Sequence, residues 1–305
     1  MTGWGSMARL TTHWLQHKTE RHCIRQWHGD DPPKGVIHLL HGMMEHSGMV
    51  HDWAMALCEI GWDVVCNDQP GAGYTIHPEC RRDHLPRHGV AILIESSQLV
   101  DDWIRAHYPN QKVIRYGHSM GSFLALNLEK NHVVADALIL TGSTNEPQWL
   151  LRIQWALIKI MGRLLGLNTP AALAHAIGIS SLNRSFKIDG YEHAWVSRMP
   201  SVLRQYGDDP LCGNMASWGF YGALNHLLLE MNAMGEVQLP HILFITGEHD
   251  PLSKGGKKNE PLIRRLMPLS ASVKHLVVPG ARHKVECDEE MPMILTHIEE
   301  FLDPL

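Results

Sequence analysis

No C-x-x-C pair occurs among the six cysteines (Cys23, Cys58, Cys66, Cys80, Cys212, Cys287), and their spacing is irregular, which excludes a disulfide framework. They read as reduced, mostly buried small hydrophobes of an intracellular protein. Despite 22 histidines there is no H-E-x-x-H and no clustered Cys/His spacing, so no metal and no cofactor is expected. An excess of positive charge is missing too: a net charge of −5 leaves no electrostatic footprint for nucleic acid. The opening stretch MTGWGSMARLTTHWLQ lacks the apolar core of a signal peptide, so the expectation is a cytoplasmic chain, peripheral to a membrane at most. Repeats and low-complexity tracts are absent. Hydrophobic residues at 44% and charged ones at 19% exclude disorder and fibres, and 305 residues bury a large core.

What is present is a rhythm of apolar runs and helical faces. Residues 11–16 and 22–28 alternate loosely and predict an entry hairpin. After the breaker Asp31-Pro32-Pro33-Lys34-Gly35, the run 36–40 is apolar enough for a buried strand. Residues 53–60 have helical spacing closed by Gly61, and 63–67 form the next strand. Val90, Leu93, Ser97, Val100 and Ile104 keep one face of a long helix that Pro109 stops. Further strands fall at 113–116, 137–141, 241–246 and 273–278, with helices at 224–234 and in the last residues, where Met291, Ile294, Ile298 and Phe301 share a face. Such alternation predicts a parallel sheet covered on both faces. It breaks at residues 147–188, which hold apolar helical segments at 149–165 and 171–179. Five basic residues and no acid lie there, marking an inserted module. The expected organisation is a core of residues 1–143 and 216–305 with a helical lid over 144–215.

The chemistry centres on Gly117-His118-Ser119-Met120-Gly121, a G-x-S-x-G between a strand and a helix. In that setting the pentapeptide predicts a sharp turn presenting the Ser119 hydroxyl, with glycines where the two backbones nearly touch. A serine hydroxyl needs a base and a group to hold that base. Two later strand ends carry them: Gly247-Glu248-His249-Asp250 and Gly280-Ala281-Arg282-His283. His283 is read as the base and Asp250 as the acid orienting it. Glu248 reads as a surface acid, His249 as solvated and Asp68 as a rival acid. His118 is expected to point away from the nucleophile. Two N–H donors must meet the substrate oxygen, and the backbones of Met120 and Met43 are the candidates.

His41-Gly42-Met43-Met44-Glu45-His46-Ser47 resembles the H-G-x-x-E-H-S signature of the monoacylglycerol lipase and lysophospholipase group of α/β-hydrolases. Asp68–Thr75 is similar to that group's D-x-R-G-x-G-x-S loop, with proline in the arginine place and alanine in the usual histidine place. Gly-His-Ser-Met-Gly matches its elbow, residues 247–251 its acid loop and 280–283 its histidine loop. The resemblance runs from about residue 36 to the C-terminus. It implies an α/β-hydrolase fold, a mostly parallel sheet flanked by helices, with a lid inserted after the strand Ala137–Thr141, and the chain order nucleophile, acid, histidine.

The expected function is therefore a serine hydrolase of carboxylic esters of monoacyl lipids, monoacylglycerol or lysophospholipid. An aminopeptidase or amidase would need lid carboxylates for a substrate ammonium group. The acid-free stretch disfavours it, although Asp189, Glu192, Asp208 and Asp209 follow. A short-chain carboxylesterase and a catalytically silent binding protein complete the alternatives. The expected partner is a small acyl ester, with no nucleic acid. In the first lid helix Arg152, Lys159 and Arg163 share one face. Either the apolar face packs on the core with the basic face solvated, or the lid makes transient contact with an anionic membrane.

Overall fold

In the computed structural model, which describes residues 8–131, 135–189, 191, 193–235 and 237–305, the entry hairpin is β1 (Arg9–His17) and β2 (Glu20–His28). Its two-residue turn is opened by Lys18 at a positive φ of 52°. β3 (Gly35–Leu40), flanked by β4 (Trp62–Asn67) and β5 (Lys112–His118), runs parallel to both. Helices α1 (His51–Glu59), α2 (Gly89–His107) and α3 (Met120–Asn131) connect these strands. After β6 (Ala137–Thr141) come α4 (Gln148–Leu165), α5 (Ala172–Ile177), α6 (Ile179–Leu182), α7 (Pro200–Asp208) and α8 (Trp218–Asn232). The chain then rejoins the sheet through β7 (Leu239–Gly247), α9 (Glu260–Leu266), β8 (Ser270–Val278) and α10 (Met291–Leu302).

The described strands form one sheet in the order β1-β2-β4-β3-β5-β6-β7-β8, with β1 and β2 antiparallel and the remainder parallel. The interior strands lack polar alternation because both faces are covered. On one face Trp53 and Leu57 of α1 and Ile294, Ile298 and Phe301 of α10 pack on Ile37, Ile139 and Ile245. On the other, Leu93 of α2, Leu124 of α3 and Leu227 of α8 pack on Leu40, Leu138 and Ile242. From β3 the chain moves outward to β4, and from β4 it crosses back over β3 to β5 on the other side. The loops at the carboxyl ends of these strands therefore border one crevice, as strand order requires at such a reversal.

Two helices depart from the sequence expectation. α8 begins at Trp218 rather than at Leu224, because the Ser217 side chain accepts from Phe220 N at 3.2 Å and caps it there. α7 was not foreseen, and Pro200 at its first turn starts it. α4 presents three faces. Leu151, Trp155, Ile158 and Gly162 turn inward, and fully burying a side chain such as Leu151 contributes about 1.5–3 kcal/mol. Trp149, Ile153, Leu157, Ile160 and Leu164 form an exposed apolar stripe, between 51% and 74% accessible. Arg152, Lys159 and Arg163 run beside that stripe. The apolar residues are thus divided between the core and solvent, not gathered on the core alone.

Candidate active site

Ser119 stands between the last residue of β5 and the first of α3, with φ at 52°. A left-handed serine is strained and persists only where its surroundings hold it. Its N–H donates to the Thr141 carbonyl at 2.9 Å, and its carbonyl accepts from Ser122 N at 2.9 Å and Ser122 Oγ at 2.6 Å. The glycines are needed where the sequence places them. A Cβ on Gly121 would sit 2.0 Å from the Leu40 carbonyl oxygen, and one on Gly117 2.4 Å from that of Gly121. Strand and helix cross too closely for any side chain.

Asp250 and His283 meet at the far side of the crevice. His283 Nδ1–H donates to Asp250 Oδ1 at 3.2 Å, leaving Nε2 as the acceptor of that tautomer. Asp250 also accepts from Leu252 N at 2.9 Å and Ser253 Oγ at 2.8 Å. Burial opposes its charge, but His283, Ser253 and the Leu252 N–H outweigh it and hold the carboxyl below the usual range. The acid and histidine loops are tied together by Glu248 N to Val278 O and His249 N to Ala281 O, both 2.9 Å. From the helical insertion, Trp195 O accepts from His283 N at 3.4 Å and Val196 O from Lys284 N at 2.8 Å. The Trp195 ring centroid lies 4.7 Å from that of His283.

Ser119, His283 and Met43 line one cavity of about 110 Å³, closed by Ile179 and Tyr206 from the insertion and Leu224 and Leu228 from α8. Met120 opens α3, so its N–H is among those that helix geometry leaves without an intrahelical acceptor. The Met43 loop is held rigidly. Gly42 N donates to Glu45 Oε1 at 2.6 Å, and His41 Nδ1–H donates to the Gly42 carbonyl at 2.8 Å while its Nε2 accepts from Gln69 N at 3.0 Å. Burial pushes the His41 pKa down, which keeps the ring neutral for both bonds.

A buried charge network lies under this loop. Lys284 Nζ donates to Glu45 Oε2 at 2.5 Å, each side chain almost wholly enclosed. Burial opposes both charges, yet Lys284 holds Glu45 down to about 2 and Glu45 holds Lys284 up. Breaking such a pair by removing one partner costs about 3–5 kcal/mol. His118 Nδ1 lies 3.1 Å from Glu286 Oε1 and 3.0 Å from Thr141 Oγ1. Burial drives His118 well down and Glu286 up to about 7, so below that pH this contact joins uncharged groups and is not an ion pair.

The Glu286 shift has a definite sign. In the fold the carboxyl keeps its proton up to about 7, against an ordinary value of 4.5 in the open chain. Its contribution is present below 4.5 and is lost as pH rises to about 7, amounting to about 3 kcal/mol. Glu286→Gln should therefore gain on wild type by that order in denaturant unfolding between pH 4.5 and 8. An unchanged difference would mean that the carboxyl is already ionised in the fold.

The structure brings Ser119, His283 and Met43 to one cavity, sets Asp250 on His283 and places Met120 at the elbow. Asp68 is not a partner: it accepts from Ser47 N at 2.9 Å, Tyr74 N at 2.7 Å and Arg25 Nη1 at 3.1 Å. Burial works against its charge, but these donors hold it below the carboxylate range. Glu248 and His249 are exposed. His118 corrects the expectation, for its ring does not point away but lies 5.0 Å from that of His283 and lines the cavity. Glu45, Lys284 and Glu286 were missed, their only signal being proximity to the motif residues. Also unforeseen are His46, Asp209 and Cys212, whose donor atoms lie within 4.8 Å of one another. Within that group, His46 Nε2–H donates to Asp209 Oδ2 at 3.0 Å. Glu192 lies outside the described residues.

A family model described as "Serine aminopeptidase, S33" matches residues 31–290. The chain is 24% identical over 280 residues to a monoacylglycerol lipase of Mycolicibacterium smegmatis, covering 90% of each. Among solved structures it is similar to a thermostable carboxyl esterase of Bacillus coagulans, with a TM-score of 0.85 at 18% identity over 97% of this chain and 98% of that one. It is also similar to a soluble variant of monoglyceride lipase from Saccharomyces cerevisiae, with a TM-score of 0.73 at 14% identity, covering 100% and 98%.

Proposed function

This chain belongs to the serine aminopeptidase S33 family, and from that premise we propose that it is a serine hydrolase cleaving carboxylic esters of monoacyl lipids. One observation carries the reading: a left-handed Ser119 faces the cavity that a buried, Asp250-oriented His283 also lines. Ser119 Oγ attacks the ester carbonyl carbon while His283 Nε2 takes its proton. The oxyanion is held by the N–H groups of Met43 and Met120. His283 returns the proton to the departing alcohol, leaving an acyl-serine. Water, deprotonated by His283, attacks that acyl group, and His283 returns the proton to Ser119 Oγ as the bond to the acyl group breaks and the carboxylic acid leaves. Asp250 fixes the tautomer and stabilises the imidazolium.

The cavity wall favours an acyl chain over a peptide N-terminus. Among the described residues Glu45 is the one acid that lines it, and Lys284 and Gly42 N already occupy it. The Mycolicibacterium smegmatis relative is named for the same substrate class. A second reading, a short-chain carboxylesterase, is favoured by the volume of about 110 Å³, which is less than a drug-sized ligand requires. Covalent labelling by an organophosphonate, followed by hydrolysis of esters of graded chain length, tests both. Labelling with rates rising toward long acyl chains supports the lipase reading, a maximum at acetyl or butyryl supports the second, and no labelling removes both.

Residues 144–215 act in this reading as the lid. Among the described residues no helix is long and apolar enough to cross a membrane. The exposed stripe of α4 and its flanking Arg152, Lys159 and Arg163 suit an interfacial position instead, with acyl substrate entering from an anionic bilayer. Each basic residue near such a surface contributes about 1 kcal/mol, which salt screens. The protein should sediment with anionic vesicles at low salt and be released at high salt. Changing Arg152, Lys159 and Arg163 to glutamine should abolish the salt-sensitive part; identical sedimentation of that variant would reduce α4 to a pocket cover.

A further inference from the structure

A second cavity, of about 250 Å³, lies between α4 and α8 and shares no lining residue with the first. Its wall is apolar: Trp155 and Ile158 from α4, Leu167 beyond it, and Trp218 at the start of α8. Gly222 keeps it open. A Cβ there would meet only Trp155 and Ile158, at 3.5 and 3.6 Å, so the space beside this glycine is unfilled although glycine weakens a helix by about 1 kcal/mol.

Three cations, Arg87, Lys159 and Arg163, line the same cavity, and among the described residues no carboxylate does. Among the described residues, none of these three side chains has an ion-pair or hydrogen-bond partner. Elsewhere the basic residues Arg25, Arg115, Lys130, Arg198 and Lys258 each find a carboxylate. The positive character comes from side chains alone, since the first N–H groups of α8 are committed to Thr169 O, Leu167 O and Ser217 Oγ. The buried indole Nε1 of Trp218 also has no hydrogen-bond partner among the described residues.

We propose that this cavity binds the anion of a single-chain carboxylic acid, its carboxylate at Arg87, Lys159 and Arg163 and its chain along Trp155, Ile158 and Trp218. Three unpaired cations beside an apolar slot match an amphiphile with one charge at one end. The volume suits one chain of medium length. Identifying the ligand as the reaction product rests on the function proposed above, because ester hydrolysis at Ser119 releases such an anion; the binding itself does not. α8 walls both cavities, with Trp218 and Gly222 on this one and Leu224 and Leu228 on the other, so an acid bound here braces the helix that lines the reaction cavity.

The test is calorimetric titration with laurate below its micellar concentration, with dodecanol as the neutral control. Wild type and Ser119→Ala should bind laurate alike, more tightly than dodecanol, and less tightly as salt rises. Replacing Arg87, Lys159 and Arg163 together by glutamine should weaken laurate by at least about tenfold, the combined effect of three charged contacts, and leave dodecanol unaffected. Gly222→Leu should abolish binding of both by filling the slot; should that variant not fold, the charge variant decides alone, since its three positions are on the surface. Laurate binding that is absent, equal to dodecanol, or untouched by the charge changes overturns the proposal. No ester is involved, so failure here is distinct from failure of the hydrolase reading, which would appear as absent turnover with laurate binding intact.

Discussion

Ser119→Ala should lower turnover of a short p-nitrophenyl ester by roughly 10⁴–10⁶-fold while leaving the protein folded, because nucleophile, base and acid act as one unit. The expectation follows from the elbow. The Ser119 backbone is held by Thr141 O and Ser122, none of which involves its hydroxyl, so alanine keeps every bond that maintains the turn. What is lost is the attacking oxygen. Thermal unfolding should move little, since alanine in the same left-handed position carries a strain close to that of serine. Turnover within tenfold of wild type would remove Ser119 from the role of nucleophile, whatever its geometry.

Much of this was legible because it is local. A buried parallel strand is a short apolar run, and β3, β5, β6 and β7 all read that way. The elbow glycines report a steric fact, the crossing of Leu40 and Gly121, that the pattern G-x-S-x-G encodes directly. Asp250 and His283 were visible because parallel strands deliver their carboxyl ends to one edge.

What failed to show was long-range. Nothing in the sequence pairs Glu45 with Lys284, and only the fold, bringing the loops after β3 and β8 together, makes them a buried pair. Likewise nothing in a leucine says whether it is covered: Leu151 is buried and Leu157 is 56% exposed on the same helix. The misreading of His118 has a related cause. Strand alternation assigns a side chain to a face of the sheet, but His118 is the last residue of β5, where the histidine loop folds back over the strand end.

That correction supplies a rival base, and the second large effect separates the two. His118 and His283 both line the cavity, and burial keeps His118 neutral at neutral pH, as a base must be. Their surroundings differ. His283 Nδ1 is held by the ionised Asp250, which orients the ring and stabilises its cation, whereas His118 Nδ1 lies beside Thr141 Oγ1 and a Glu286 carboxyl whose proton burial retains. A proton taken by His118 would be opposed by burial and by the neighbouring His283 and Lys284, and the one carboxylate that favours it, Glu45, is already paired with Lys284. His283→Ala should therefore fall as far as Ser119→Ala, and Asp250→Asn by about 10⁴-fold through the wrong tautomer. Asp250, held below the usual carboxylate range, stays ionised at neutral pH and keeps that role throughout the comparison. His118→Gln should keep turnover within about tenfold of wild type, losing only a neutral packing partner of the histidine. If His118→Gln is silenced while His283→Ala retains activity, the base has been assigned to the wrong ring and Asp250 is a structural acid.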